Sequence, residues 1–526
     1  MKVLVSDSLS QNGVEILKNG GLDVTVKTGM TKDELKACIG EYDGIVIRSA
    51  TKLTADVIEV ANKLKVIGRA GSGLDNVDKI AASKKGIVVM NTPGGNTVTT
   101  AEHTIALMFA LARKVPQANQ SIAAGKWEKK QFMGVELFNK TLGIIGFGNI
   151  GRQVAKKAIG LEMNVLAFDP FVDEDTATEL GVKKVTLDEI YASSDFITVH
   201  TSLNPETKNL INKDTIAKMK KGVRVINCAR GGIVNEADIV EAIKGGKVAG
   251  AAFDVFEKEP PVDFDFLNLD QIIRTPHLGA STTEAQDNVA LAVAEQIVDY
   301  LVNGTIRNAV NFPTISADQA PKIKPYASLA EVLGGFASQV FTGPVKEIVI
   351  ELCGNAANFD AEPIKISALK GFLTPILEEN VNFVNAPFIA KDRGIDVKVS
   401  KGEDAGDYHN KITLRIKSKE EEFTISGTLF GKKDHRIIQI NDFYIEIVPE
   451  GTMLYVNNVD KPGVIGGIGT IFGNNKINIS RMHFSREAMG GGALSVVNVD
   501  TDDISDDLLK KIKELPNITS VKVVKI

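Results

Sequence analysis

Cysteine is nearly absent: Cys38, Cys228 and Cys353 are the only three in 526 residues, widely spaced and in no CxxC pair. An odd, scattered set argues against a disulfide framework and a zinc site, and makes the cytoplasm the expected setting. Histidine occurs six times, so any imidazole chemistry rests on few candidates. A dominant charge sign is also lacking, since 61 Lys and Arg stand against 66 Asp and Glu for a net −5. That balance gives no basic field for nucleic acid, and a charged substrate must be met by local groups. No apolar run approaches a membrane span, and the opening MKVLVSDSLS has too short an apolar core for a signal peptide. What the chain does have is length, with 44% hydrophobic and 24% charged residues, enough for several domains that each bury a core.

The first three hundred residues alternate short β-branched runs with helical stretches. KVLVSD, GIVIRS, KVIGRAG and GIVVMNTP predict strands that end in polar or glycine-containing turns, the βαβ rhythm of a doubly wound parallel sheet. TTAEHTIALMFALARKV predicts a long helix from a Thr-rich cap near Thr99. A second series starts at Lys140 with KTLGIIGFGNIGRQVAKKA and continues through VLAFDP, FITVHTS, VRVINCARGG, GAAFDVF and IIRTPHLGAS. The expected fold class is therefore α/β, with two Rossmann-like doubly wound parallel-sheet domains in succession. A mixed α/β intermediate domain follows from about Ala320 to Pro449, and the tail from Thr452 reads strand, helix, strand, strand, helix, strand, a ferredoxin-like βαββαβ module.

The strongest local signal is Gly146-Phe-Gly148-Asn-Ile-Gly151. Alone, GxGxxG is weak, but this one follows the strand LGII, opens a helix, and is trailed by Asp169 at the end of VLAFD, as a dinucleotide fingerprint requires. Gly146 serves the tight turn, Gly148 the approach of a pyrophosphate, and Gly151 close helix–strand packing. Asp169 suits the ribose hydroxyls and would repel a 2′-phosphate, and Pro170 and Phe171 rather than an arginine follow it. NAD is the expected cofactor.

Among the histidines, His103 lies in an apolar helix and reads as a satisfied core residue. His200 ends FITVH near a cofactor with no acidic partner beside it in sequence, and His409, His435 and His483 fall outside the nucleotide unit. His277 stands at the C-terminal end of the strand IIRTP, where open α/β sheets place their ligands. Glu259, in FEKEPP, leaves the preceding strand, and a carboxylate beside an imidazole orients it for proton exchange with a hydroxyl. Arg230, in INCARGGIV, joins them from the strand before that. Arginine there is either a stray surface charge or a fork aimed at an anion.

NCARGG, the EKEP loop and TPHLGAST, with GFGNIG ahead of them, resemble the D-2-hydroxyacid dehydrogenases over roughly the first 310 residues. IRSAT at 47–51, GRAGSGLDNVD at 68–78, NTPGGNTVTTAEH at 91–103 and GKWEKKQFMG at 125–134 resemble the phosphoglycerate-oxidising branch of that family, and the tail resembles an ACT domain. The resemblance implies four units: a flavodoxin-like substrate-binding domain from 1–97 and 283–310, an NAD-binding Rossmann domain at 98–282, an intermediate domain at 311–449 and an ACT domain at 450–526. It gives Arg230 the substrate carboxylate, His277 the hydroxyl proton, and Glu259 the task of holding His277, with no metal. Cofactor contacts are implied for Gly146, Gly148, Asn149, Ile150, Gly151, Asp169, Thr201, Cys228, Ala229, Arg230, Asp254, His277, Gly279 and Ala280. Substrate contacts are implied for Arg48, Ser49, Gly71, Ser72 and Asn96 beside Arg230 and His277. The two glycines after Arg230 are expected to bring the backbone close to cofactor and substrate. Lys129 either reaches a neighbouring subunit's site or is a solvated lysine.

In the tail the resemblance points to an amino-acid effector, L-serine, at a junction of two subunits. Asn458, Asp460, Gly463 and Asn478 are the implied contacts, although a Pro-Gly turn at 462–463 alone reads as a connector. The cluster GKKDHR, with Lys432, Lys433, His435 and Arg436, reads as a solvated turn or a phosphate or serine site. The expected activity is NAD-dependent oxidation of 3-phosphoglycerate in a homo-oligomer, a dimer or tetramer. A dehydrogenase of another D-2-hydroxy acid and a non-catalytic NAD-sensing regulator are the alternatives.

Overall fold

The computed structural model describes residues 1–526 apart from 314–318, 378–380 and 432, so Lys432 of the GKKDHR run lies outside the described residues. The first sheet consists of β1 (Lys2–Val5), β2 (Asp23–Val26), β3 (Gly44–Ile47), β4 (Val66–Arg69) and β5 (Val88–Asn91), all parallel in the order β2-β1-β3-β4-β5. β3 is buried along its whole length, as expected for a strand covered on both faces. The edge strand β2 is not among the expected strands, because DVTV is largely exposed and carries no clear alternation. The helix Thr283–Asn303 returns to this sheet and packs so closely that a Cβ on Gly68 would overlap Val293.

The second sheet holds β6 (Thr141–Ile145), β7 (Asn164–Phe168), β8 (Lys183–Lys184), β9 (Phe196–Val199), β10 (Val223–Asn227), β11 (Val248–Phe253) and β12 (Ile272–Arg274). They are parallel in the order β12-β11-β10-β9-β6-β7-β8. The strand order reverses between β6 and β9, and such a reversal opens a crevice above the strand ends. The connecting helix spans Thr97–Arg113 and so starts before the expected Thr99. Asn96 precedes it, but its side chain does not cap the helix: it accepts from Ser72 Oγ at 2.9 Å and donates to Thr100 Oγ1 at 3.3 Å.

A third, mixed sheet comprises β13 (Glu347–Gly354), β14 (Asp396–Gly402), β15 (Asn410–Lys417), β16 (Glu422–Phe430), β17 (Asp434–Ile440) and β18 (Phe443–Ile447). The helices Ala320–Val340 and Ala361–Leu373 supply its core. His435 and Arg436 are strand residues of β17 rather than part of a turn. The tail forms β19 (Thr452–Val459), β20 (Ile479–Arg486), β21 (Gly492–Val499) and β22 (Ile518–Lys525), antiparallel neighbours in the order β20-β21-β19-β22, with helices Val464–Asn474 and Asp506–Lys513. Period-two alternation sends Leu454 and Val456 toward these helices and Met453 and Tyr455 into the core of the third sheet. Tyr455 meets Phe336 edge-on with ring centroids 6.2 Å apart. The third unit in turn docks on the first, with Val384 buried in the first sheet's core and Asn382 Nδ2 donating to the Gly86 carbonyl at 2.8 Å. Among the described residues no helix is long and apolar enough to cross a membrane.

Candidate active site between the two parallel sheets

β6 ends at Ile145, and Gly146 turns the chain with φ +96°, a left-handed conformation that glycine adopts without cost. A Cβ there would also overlap the His200 carbonyl. Gly148 has open space where its Cβ would stand, whereas a Cβ on Gly151 would overlap the Gly146 carbonyl. The helix beginning at Asn149 has no side-chain cap, so its first-turn N–H groups and the positive end of its dipole are free for an anion. Asp169 braces this turn: its Oδ2 accepts from Phe147 N at 2.7 Å and its Oδ1 from Phe171 N at 2.8 Å. Each carboxylate oxygen retains a lone pair for a ribose hydroxyl.

Ile150, Thr201, Cys228, Ala229, Arg230, Asp254, His277, Gly279 and Ala280 line one cleft beside this turn. Arg69 Nε, His200 Nδ1 and Thr201 Oγ1 are buried without a hydrogen-bond partner among the described residues, and their three residues all line that cleft. Buried polar atoms without partners are uncommon in folded proteins. A dinucleotide carries the hydroxyls and phosphate oxygens that such atoms lack, so the residues present fit NAD. Burial pushes the Cys228 thiol up to about 12, which keeps it protonated and makes it a packing residue under the cleft.

The reactive side is built by the ends of β10, β11 and β12. His277 follows β12 with φ +57°, a strained conformation for a non-glycine residue. Asp254, only 1% exposed, holds that loop. It accepts from Leu278 N at 2.7 Å, Gly279 N at 2.8 Å, Thr275 Oγ1 at 2.6 Å and His103 Nε2 at 3.1 Å. Burial raises the Asp254 carboxyl, but the hydrogen bonds from His103, Thr275 and Leu278 outweigh it and leave the group below the ordinary range. His103 is thus a satisfied residue with a supporting part in the site. His277 Nδ1 lies 3.1 and 3.0 Å from the two oxygens of Glu259, whose Oε1 also accepts from Phe256 N at 3.2 Å. With Nδ1 given to the carboxylate, Nε2 is the nitrogen left for proton exchange.

Arg230 is anchored from the opposite unit. Its Nε lies 3.0 Å from Asp75 Oδ2, its Nη1 donates to the Ala229 carbonyl at 2.7 Å, and a Cβ on Gly73 would overlap its Nη2. A Cβ on Gly231 would overlap the Phe256 carbonyl, so this glycine also accommodates the neighbouring loop. A second cavity shares Arg69, Asn96, His277 and Ala280 with the first and is also lined by Arg48, Ser49, Gly71 and Glu259. Ser72 lines the first cavity. Arg69, absent from the expected set, is half-buried, and that burial lowers its pKa from the ordinary value, with Arg230 adding repulsion. Its sequence setting, an arginine at a parallel strand end with Gly71 two residues on, is similar to that of Arg230 and could have flagged it. Lys129 is not among the lining residues and lies 5.9 Å from the ring centroid of Trp127.

The tail residues are not brought together within one chain. Asp460 accepts from Arg486 Nη1 at 2.9 Å, beside Gly463 (φ +98°) at the start of the helix Val464–Asn474. Asn478 donates to Asp500 Oδ2 at 2.6 Å, at the other end of the sheet. The seven strand steps between those ends span roughly 20 Å. Asn458 is buried and turned toward Ser495, whose Oγ lies 3.4 Å from its Oδ1.

A nucleotide turn at a strand-order reversal, facing a second parallel sheet, with arginine, glutamate and histidine on successive strand ends, defines an NAD-dependent dehydrogenase. Residues 105–279 match the model of the D-isomer specific 2-hydroxyacid dehydrogenase NAD-binding domain, and residues 322–441 match that of the D-3-phosphoglycerate dehydrogenase intervening domain. The chain is 46% identical to a D-3-phosphoglycerate dehydrogenase of Archaeoglobus fulgidus, covering 100% of both chains, and 42% identical to one of Bacillus subtilis, covering 99% of both. A D-lactate dehydrogenase structure from Aquifex aeolicus, complexed with NAD and lactic acid, matches 60% of this chain and 100% of its own at 27% identity and TM-score 0.52. The chain belongs to the D-3-phosphoglycerate dehydrogenase family.

Proposed function

We propose that the cleft oxidises the C2 hydroxyl of 3-phospho-D-glycerate to 3-phosphohydroxypyruvate, the first step of L-serine biosynthesis, and that the residues named above carry the reaction. NAD, when bound, supplies the hydride acceptor. The observation that carries the reading is the His277–Glu259 pair, at 3.0 Å, in a cleft that also holds Arg230, Arg69 and Arg48. His277 Nε2 takes the hydroxyl proton as the C2 hydride leaves, and Glu259 keeps the ring oriented and stabilises the imidazolium that forms. Arg230 offers a planar fork to the substrate carboxylate. Arg48 and Arg69, which line the second cavity with His277, suit the phosphate. Gly71 and Gly73 are small where these guanidiniums pass: a Cβ on either would overlap an arginine nitrogen.

In the same reading, 1–97 with 283–310 forms the substrate unit and 98–282 the NAD unit, followed by an intermediate unit at 311–449 and an ACT-like tail at 450–526. A homo-oligomer is favoured by exposed apolar side chains grouped in sequence, Val115, Ile122, Trp127, Met133 and Phe138. Serine is the proposed effector, with Asp460 and Gly463 of one copy facing Asn478 of another. The test is NADH formation with phosphoglycerate, glycerate and lactate, the keto product being trapped. Selective turnover of phosphoglycerate is the expected result, and equal or greater turnover of glycerate or lactate would reject the substrate assignment.

A further inference from the structure

His200 follows β9 in the corner where the glycine turn passes, since a Cβ on Gly146 would overlap its carbonyl. His200 lines the cleft with Ile150, Thr201 and Arg230. Nε2 lies 3.0 Å from Thr198 Oγ1. Thr198 is fully buried, and its hydroxyl pairs with the ring. A hydroxyl donates one proton, and burying it without an acceptor is unfavourable. The arrangement that satisfies Thr198 has Oγ1 donating to Nε2, which makes Nε2 an acceptor and puts the ring proton on Nδ1. That nitrogen is buried and has no partner among the described residues. Thr201 Oγ1, on the next residue, is in the same condition.

We propose that His200 is a cofactor-binding residue whose Nδ1–H, held in that tautomer by Thr198, donates to an oxygen of bound NAD. Burial pushes the ring down to about 4, so the donor is a neutral imidazole and adds no charge to a cleft that already carries arginines. The inference rests on the reading of this cleft as the NAD site, but assigns a group that the fingerprint glycines, Asp169 and the Arg230–Glu259–His277 set leave unused.

The test is NADH titration, followed by fluorescence, on the full-length wild type and on His200→Leu, His200→Asn and Thr198→Val. His200→Leu keeps bulk and removes the donor, and should raise Kd about tenfold. His200→Asn, whose side-chain amide can donate from near the Nδ1 position, should stay within about threefold of wild type. Thr198→Val, which frees the tautomer, should fall between them. In the wild type, ¹⁵N histidine spectra should give Nδ1 as the protonated nitrogen and show its signal moving when NAD is added. Unchanged NADH binding by His200→Leu, equal losses in His200→Leu and His200→Asn, or a ring protonated on Nε2 would each overturn the assignment. A wild type that binds no NADH would overturn the cofactor cleft and this proposal together, whereas normal wild-type binding with an insensitive His200 removes the proposal alone.

Discussion

In the cleft between the two parallel sheets, groups far apart in sequence meet within one chain: Glu259 with His277, Asp75 with Arg230, and His103 with Asp254. In the tail, the polar residues of the turn and the next strand stay apart, Asp460 with Arg486 at one end of the sheet and Asn478 with Asp500 at the other. Sheet geometry explains the difference. Gly146, His200, Arg230, Asp254 and His277 all follow parallel strands, and the C-terminal ends of parallel strands share one edge. Asp460 follows β19, but Asn478 precedes β20, and β19 and β20 run the same way because each is antiparallel to β21. A residue before a strand and a residue after its parallel neighbour lie at opposite edges. The cleft can therefore collect its side chains in one molecule, while Asp460 and Asn478 can share a ligand only if two molecules meet.

The sharpest way to break this contrast is to remove the proton acceptor. His277→Ala should lower turnover by about 10²–10⁴ while NADH titration still shows binding; full turnover would take His277 out of the chemistry. Next in size, Arg230→Lys should lower kcat/KM by about 10–100-fold, because a point charge cannot reproduce the fork that Asp75 and the Ala229 carbonyl hold in place. Steady-state kinetics with unchanged substrate affinity would count against the carboxylate role. Asp169→Ala should weaken NAD about tenfold and narrow the preference over NADP, since both the proposed ribose contact and the bracing of Phe147 and Phe171 would be lost. Calorimetry with both nucleotides would show it.

A smaller effect concerns acid stability. The Asp254 carboxyl lies below its ordinary range, so its contribution is present above the unfolded carboxylate value and is lost as pH falls through the folded one. Wild-type melting should therefore fall further on acidification than that of Asp254→Asn, by about a few degrees, as a pH series of melting curves would reveal. In the tail, Asn478→Ala should leave phosphoglycerate kinetics unchanged without serine and weaken any serine response within the roughly 5–150-fold range of ordinary coupling. Mixing Asp460→Ala chains with Asn478→Ala chains should restore part of that response, whereas the double variant alone should not. Substitution suits this region better than truncation, because Tyr455, Leu494, Val496 and Val524 share a core with the helix Ala320–Val340.

Residues whose role follows from local pattern were legible in the sequence. The glycine fingerprint, the strand ends carrying Arg230 and His277, and the strand–helix order of the tail all depend on neighbours within a few positions. Asp75 is not legible in the sequence because it matters through an arginine 155 positions away, across the cleft, whereas Arg69, at a strand end two residues before Gly71, carries a local signal like that of Arg230. The edge strand β2 carries almost no burial signal, and the start of the helix at Thr97 is hidden because Asn96 spends its side chain on Ser72 and Thr100. At Gly231 the pattern after Arg230 points to a close approach of cofactor and substrate, and the fold adds a neighbour that sequence does not show, the Phe256 carbonyl.

The central claim is that one cleft holds both charged ends of the substrate, the carboxylate at Arg230 and the phosphate toward Arg48 and Arg69. The ratio of kcat/KM for phosphoglycerate over glycerate, compared between wild type and Arg48→Ala, tests it most directly. The account predicts that the ratio falls at least about tenfold while NADH affinity stays the same. An unchanged ratio would contradict it.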